Sequence, residues 1–134
     1  MPKEHINPDT LFPSVAHGFS QVIATRGGKT IYISGQTAWD AEKRLVGGNS
    51  LEAQAKQVLQ NVRHAVEAAG GSLADVVALR LDVVNDRPAD ADSLGTILRE
   101  FFPGVHPPTS TWIGVSSLAV ADFLIEIEAV AIVE

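Results

Sequence analysis

Phe123-Leu124-Ile125-Glu126-Ile127-Glu128-Ala129-Val130-Ala131-Ile132-Val133 runs to the penultimate residue with an alternating pattern. Successive side chains of a strand point to opposite faces, so Phe123, Ile125, Ile127, Ala129, Ala131 and Val133 share one side. Glu126 and Glu128 share the other with Leu124, Val130 and Ile132. The first side fits a core. The second is still apolar enough that, left in water, it forms an exposed patch of the kind that marks an interface. The spacing therefore predicts an oligomer in which the free faces of the sheets pack together.

Outward from this strand the same reading continues. Residues 109–115, Thr-Ser-Thr-Trp-Ile-Gly-Val, form a second strand. Before it, Leu94, Ile97, Leu98, Phe101 and Phe102 recur at helical spacing, with Asp90 and Asp92 near the positive N-terminal end and Pro103-Gly104 as a stop. Residues 76–84 alternate, with Val77, Leu79, Leu81 and Val83 on one face and Arg80 and Asp82 among those on the other. A longer helix precedes them. It is capped by Asn49 or Ser50, striped by Leu51, Ala55, Val58, Leu59, Val62, Ala65, Val66 and Ala69, and closed by Gly70-Gly71. Residues 21–25 and 30–34 are β-branched runs around Arg26-Gly27-Gly28-Lys29, which predicts a β-hairpin. Residues 1–19, with Pro2, Pro8, Pro13 and Gly18, read as an extended N-terminal arm. The order ββ-α-β-α-ββ predicts a single α+β domain over residues 1–134, a mixed sheet with both helices on one side.

Composition narrows the function. The 134 residues hold 16 acidic and 10 basic side chains, a formal charge of −6, with no basic stripe, so nucleic acid is not an expected partner. No cysteine is present, which removes disulfides, thiolate metal ligands and a thiol nucleophile, and fits a reducing, cytoplasmic setting. No apolar run approaches the ~20 residues a membrane-spanning helix needs, and no signal peptide is expected at the N-terminus. Ser34 in Ser-Gly-Gln lacks the setting of a nucleophile elbow, and no His spacing suggests a metal.

The segments Ile31-Tyr32-Ile33-Ser34-Gly35-Gln36, Glu52-Ala53-Gln54 through Gln57-Val58-Leu59, Ala68-Ala69-Gly70-Gly71 and Ile125-Glu126-Ile127-Glu128-Ala129 stand in an order that resembles the RidA/YjgF family, from about residue 19 to the C-terminus. The resemblance implies a chorismate-mutase-like fold and a homotrimer with a central barrel and small-molecule clefts between subunits. It also implies hydrolytic deamination of enamines and imines without metal or organic cofactor. Glu126 matches the carboxylate that positions the attacking water, and the backbone at Ser34 and Gly35 matches the ligand-flanking loop. In typical members an arginine after Pro-Ala grips the substrate carboxylate with a bidentate fork. Here the matching stretch is Pro108-Thr109-Ser110-Thr111, and Ser110 stands at the arginine's position. The family tyrosine is matched by Phe19.

Thr111, with Ser110, and Trp112 as an aromatic wall complete the expected cleft, with His106 a further contact. Glu128 reads as structural, pairing with an arginine across the subunit interface. Two functions follow. One is a hydrolytic deaminase of an imine or enamine other than the standard 2-imino acids, with Glu126 orienting water. The alternative is a non-catalytic trimer that binds a small metabolite. A ribonuclease, an activity attributed to some relatives, fits the charge least.

Overall fold

The computed structural model describes residues 3–104 and 106–134; Met1 and Pro2 of the expected arm lie outside the described residues. In chain order the elements are strands β1 (Glu4–Ile6), β2 (Val22–Ala24) and β3 (Lys29–Gln36), helix α1 (Leu51–Ala68), strand β4 (Val76–Val84), helix α2 (Pro88–Phe101), and strands β5 (Thr109–Val115) and β6 (Ile125–Val133). Two helices pack on one face of a mixed four-stranded sheet in the order β3-β6-β4-β5, in which only β4 and β5 run parallel.

Local chemistry fixes the helix ends. The Ser50 hydroxyl accepts the Ala53 N–H at 3.1 Å, which satisfies one of the orphan donors of α1. At the other end Gly70 adopts φ +91°, a conformation glycine reaches without Cβ strain. It donates to Glu67 O while Gly71 donates to Val66 O, both at 3.0 Å, a Schellman closure. Helix α2 opens on Pro88, and the Asp90 carboxylate accepts the Arg87 backbone N–H at 3.0 Å.

The stripe of α1 (Ala55, Val58, Leu59, Val62, Val66) and that of α2 (Leu94, Ile97, Leu98) meet Leu79, Leu81 and Val83 of β4 and Ile125, Ile127, Ala129 and Ala131 of β6 in one buried cluster. Burying a Leu or Ile side chain stabilises by roughly 1.5–3 kcal/mol, so this layer is the main source of cohesion. Gln54 is fully buried within it. Its side-chain amide donates to Gly48 O (2.7 Å) and Asp122 O (2.9 Å) and accepts Leu124 N–H (2.9 Å), tying the first turn of α1 to the chain entering β6.

Several expectations are corrected. Residues 21–25 and 30–34 do not pair with each other: β2 pairs with β1, whose presence adds a strand to the expected order, and β3 pairs with β6. Gly27 and Gly28 do turn the chain, with φ +71° and +77°. A Cβ on Gly28 would stand 2.9 Å from Ile132 Cγ2, so the turn seats β3 against the end of β6. β2, with Val22 and Ala24 exposed, stands outside the main sheet in a two-stranded pair with β1. The arm is not extended throughout, holding β1 and a 3-10 turn over Ser14–His17. A register shift between Val76 and Ala78 puts Val76, not Val77, among the buried residues of β4. The last strand begins at Ile125, two residues later than its pattern suggests, although Phe123 is buried against Trp39 at 4.9 Å between ring centroids.

Candidate functional site

The antiparallel register of β4 and β6 places Asp82 opposite Glu126 and Arg80 opposite Glu128 on the face the helices leave open. Two of the three carboxylates share one guanidinium. Arg80 Nε lies 3.6 Å from Glu128 Oε1 and 3.8 Å from Asp82 Oδ1. Glu128 thus has an arginine partner within its own chain, on the neighbouring strand β4. Glu126 has no cationic partner among the described residues. Burial raises its pKa above the ordinary value of 4.5, and the negative charges of Asp82 and Glu128 push it further in that direction.

Gly35 lies directly against this carboxylate. A Cβ there would fall on a Glu126 carboxylate oxygen and 2.7 Å from Cδ, so any larger residue displaces the acid. The pairing of β3 with β6 shifts between Ile33 and Gln36, which opens the strand at this point. Helix α1 then holds the chain beyond it: Asn61 Nδ2 donates to Thr37 O and Trp39 O, each at 2.9 Å. Ser34 is exposed and, with Tyr32, Arg80, Glu128 and Val130, lines a depression of about 430 Å³ on the open face.

The remaining expected residues lie elsewhere. In the parallel β4–β5 register Ser110 stands beside Leu79 and Trp112 beside Leu81, on the helix-covered side, whereas Thr111 stands beside Arg80 on the open side. Ser110, Trp112 and Phe19 line a separate cleft of about 600 Å³ with Phe12, His17 and Arg99. Phe19 is fixed there from both sides. Its carbonyl accepts the Ser14 hydroxyl at 2.6 Å, and the next residue, Ser20, donates its backbone N–H to Pro108 O and its hydroxyl to Pro107 O.

His106 joins neither group. Its ring lies 4.6 Å from that of His5, in a third hollow with Lys3, Asp75 and Glu134. Burial lowers the His5 pKa, with the nearby His106 and Lys3 acting in the same direction. Sequence reasoning missed Arg99, Phe12 and the role of Asp82. The alternation of β4 already put Asp82 on the polar face, and only the strand register was needed to set it opposite Glu126. No comparable signal marked Arg99, which reaches the cleft from α2.

A single chain therefore carries the Glu126 carboxylate on one face of the sheet and the aromatic cleft on the other. Among the described residues no cluster of three or more His, Asp or Glu side chains is arranged to hold a metal ion, and no helix is long and apolar enough to cross a membrane.

Comparison with known proteins gives the family. The family described as Endoribonuclease L-PSP matches residues 10–133. A 2-iminobutanoate/2-iminopropanoate deaminase from Dermatophagoides farinae is 29% identical, with all of both chains aligned. The 3-aminoacrylate deaminase RutC of Acinetobacter baylyi is 33% identical over 98% of each chain. Among solved structures, YyfB of Yersinia pestis, a protein of the conserved Rid family, superposes with a TM-score of 0.95 at 44% identity, covering 99% of this chain and 100% of its own.

Proposed function

Because the chain belongs to the RidA/YjgF family, we propose that it hydrolyses an imine or enamine metabolite to a carbonyl compound and ammonia. We infer that it does so as a homotrimer, in clefts between subunits, with Glu126 as the acid–base group. The observation that carries this reading is the Glu126 carboxylate held against Gly35, unpaired with any described cation and biased toward its protonated form. A carboxyl group whose pKa is raised toward neutrality can both take and give a proton. The balance is simple. Water adds to the C=N carbon as Glu126 accepts one water proton and passes it to nitrogen; the carbinolamine's hydroxyl proton then moves through the same carboxylate to the amino group, which leaves as ammonia as the C=O bond forms. An enamine first takes a proton at carbon to become the imine. No cofactor is needed.

The division of the site between two faces supports assembly. Within one chain Glu126 and the Phe19–Ser110–Trp112 cleft are separated by the sheet, so a pocket containing both needs a second copy. Ser34 and Gly35 then flank the ligand beside Glu126, with Ser110 and Trp112 supplied from β5 of the second copy, while Thr111 stays on the open side beside Arg80. With Ser110 where the family arginine is expected, a 2-imino acid loses a charge-assisted fork worth roughly 1.5–3 kcal/mol, so the substrate differs from the standard 2-imino acids. That loss is also what favours the second reading, a trimer that holds a metabolite without chemistry. A charge of −6 gives little support to ribonuclease activity.

The test is ammonia release from freshly generated imines by the intact protein, with Glu126→Gln and Ser110→Arg beside wild type. The deaminase reading expects release from at least one imine, reduced about 100-fold or more in Glu126→Gln. It expects Ser110→Arg to gain activity on 2-imino acids. Release from no imine, together with ligand-induced thermal stabilisation that survives Glu126→Gln, identifies the binding protein instead.

A further inference from the structure

The aromatic cleft contains a cation that the fold does not neutralise. Arg44, Arg80 and Arg87 each lie within 4 Å of a carboxylate. Arg99 has no such partner among the described residues, in a chain with 16 acids to 10 bases. Its guanidinium donates only to the neutral Ala16 O and Thr96 Oγ1, both at the long distance of 3.3 Å. A guanidinium has five N–H donors, so most of the fork remains available.

The surroundings make room for this side chain. A Cβ on Gly18 would stand 3.3 Å from Arg99 Cγ, and one on Gly95 would stand 3.5 Å from Nη1. Of the two, Gly18, at φ +92°, is the one whose side chain would crowd the arginine as it lies along α2 beside the arm. The cleft it borders is lined by Phe12 and Phe19, whose rings meet edge to face at 5.9 Å, and by Trp112 and Ser110. The Ser110 hydroxyl makes no hydrogen bond to the described residues, and Trp112 Nε1–H is buried without an acceptor. The Arg99 fork and the Ser110 hydroxyl are thus open to a ligand between aromatic walls. Asp92, the one acid lining the cleft, lies seven residues before Arg99 on α2, about 10 Å along the axis.

We propose that Arg99 is the anion-binding, specificity-determining residue of this cleft, so that it takes a carboxylate-bearing imine with a flat, apolar body held from α2 rather than from β5. The inference rests on the reading of the cleft as the substrate pocket and deepens it. Moving the grip from strand to helix changes where the carboxylate sits relative to the reacting carbon. The aromatic rings supply the contact area for the body of the ligand. An arginine freed of internal acids binds a carboxylate through two parallel charge-assisted hydrogen bonds, which lysine does not reproduce.

The experiment is calorimetric titration of the intact protein with benzoate and with its neutral isostere benzamide, in wild type, Arg99→Gln, Arg99→Lys and Glu126→Gln. Wild type is expected to prefer benzoate by about tenfold or more, the preference to vanish in Arg99→Gln, and Arg99→Lys to recover only part of it. Circular dichroism confirms that the exposed substitutions leave the fold intact. Equal binding of the two compounds, binding of neither, or a preference unchanged in Arg99→Gln overturns the proposal. The two readings fail separately. A benzoate preference retained in Glu126→Gln, with no imine hydrolysed by wild type, keeps the anion grip and removes the chemistry. Glu126-dependent ammonia release whose KM is unmoved by Arg99→Gln keeps the chemistry and removes the grip.

Discussion

Glu126 is the residue on which burial, charge and backbone packing converge. Its pKa in the fold lies above the ordinary 4.5, raised by burial first and by Asp82 and Glu128 next. A raised folded pKa means that the associated stability is fully present below the unfolded pKa and is lost as pH climbs through the folded value. Glu126→Gln, which mimics the neutral acid, is therefore expected to be more stable than wild type at pH 7, with the difference closing as pH falls toward 4.5. Urea denaturation at the two pH values measures it, and a Gln variant less stable at pH 7 contradicts it. Gly35 tests the same contact from the other side. Gly35→Ala drives a methyl group into the carboxylate, and a displacement of about 1 Å in an acid–base group lowers kcat roughly 100-fold with little change in KM. Strand alternation made the face of Glu126 legible in the sequence and a glycine at a strand's end made Gly35 so, while their place in a site was implied by the family resemblance alone. Arg99 was not, because a charged residue on an exposed helical turn looks the same whether or not it borders a cleft.

Helix α1 shows how much an element's own sequence fixes, and what it leaves open. Ser50 and Gly70-Gly71 mark its ends and the apolar stripe marks its buried side, all from residues within the helix or next to it. Gln54 interrupts that logic. A polar residue in a buried position pays its way only through the three hydrogen bonds it makes to Gly48, Asp122 and Leu124, and two of those partners are about seventy residues distant. Gln54→Leu keeps the volume but leaves two carbonyls and an amide without their partner. It is expected to destabilise by about 3 kcal/mol in chemical denaturation, against less than 1 kcal/mol if water replaces the lost bonds. The missed strand pairing has a related cause. Gly27 and Gly28 reveal that the chain turns, whereas the partner of β3 is decided by β6, a hundred residues later.

Across the molecule the sheet has one face sealed by helices and one that carries Tyr32, Ala78 and Val130 beside the charged column of Arg80, Glu126 and Glu128. Tyr32 is 81% exposed in the single chain, a large aromatic surface for water to meet. Tyr32→Lys, which repeats a positive charge around the proposed symmetry axis, is expected to convert the proposed trimer to monomers in light scattering and to abolish the proposed ammonia release with it. A monomeric wild type removes the assembly proposal outright. The expected oligomer followed from the second apolar side of the last strand. Which residues meet across the interface did not, since sequence periodicity assigns faces and not neighbours.

The placement of Glu126 and Ser110 on opposite faces of one sheet also bears on inheritance. In the three-membered ring proposed above, each cleft would borrow its acid from one chain and its aromatic wall from the next. A copy damaged only at Glu126 and a copy damaged only in the aromatic cleft are each inactive when made alone. Made together, they form mixed rings, and every mixed ring contains one junction where the sound acid meets the sound wall. Two recessive lesions in the same gene then rescue each other, whereas two lesions on the same face do not.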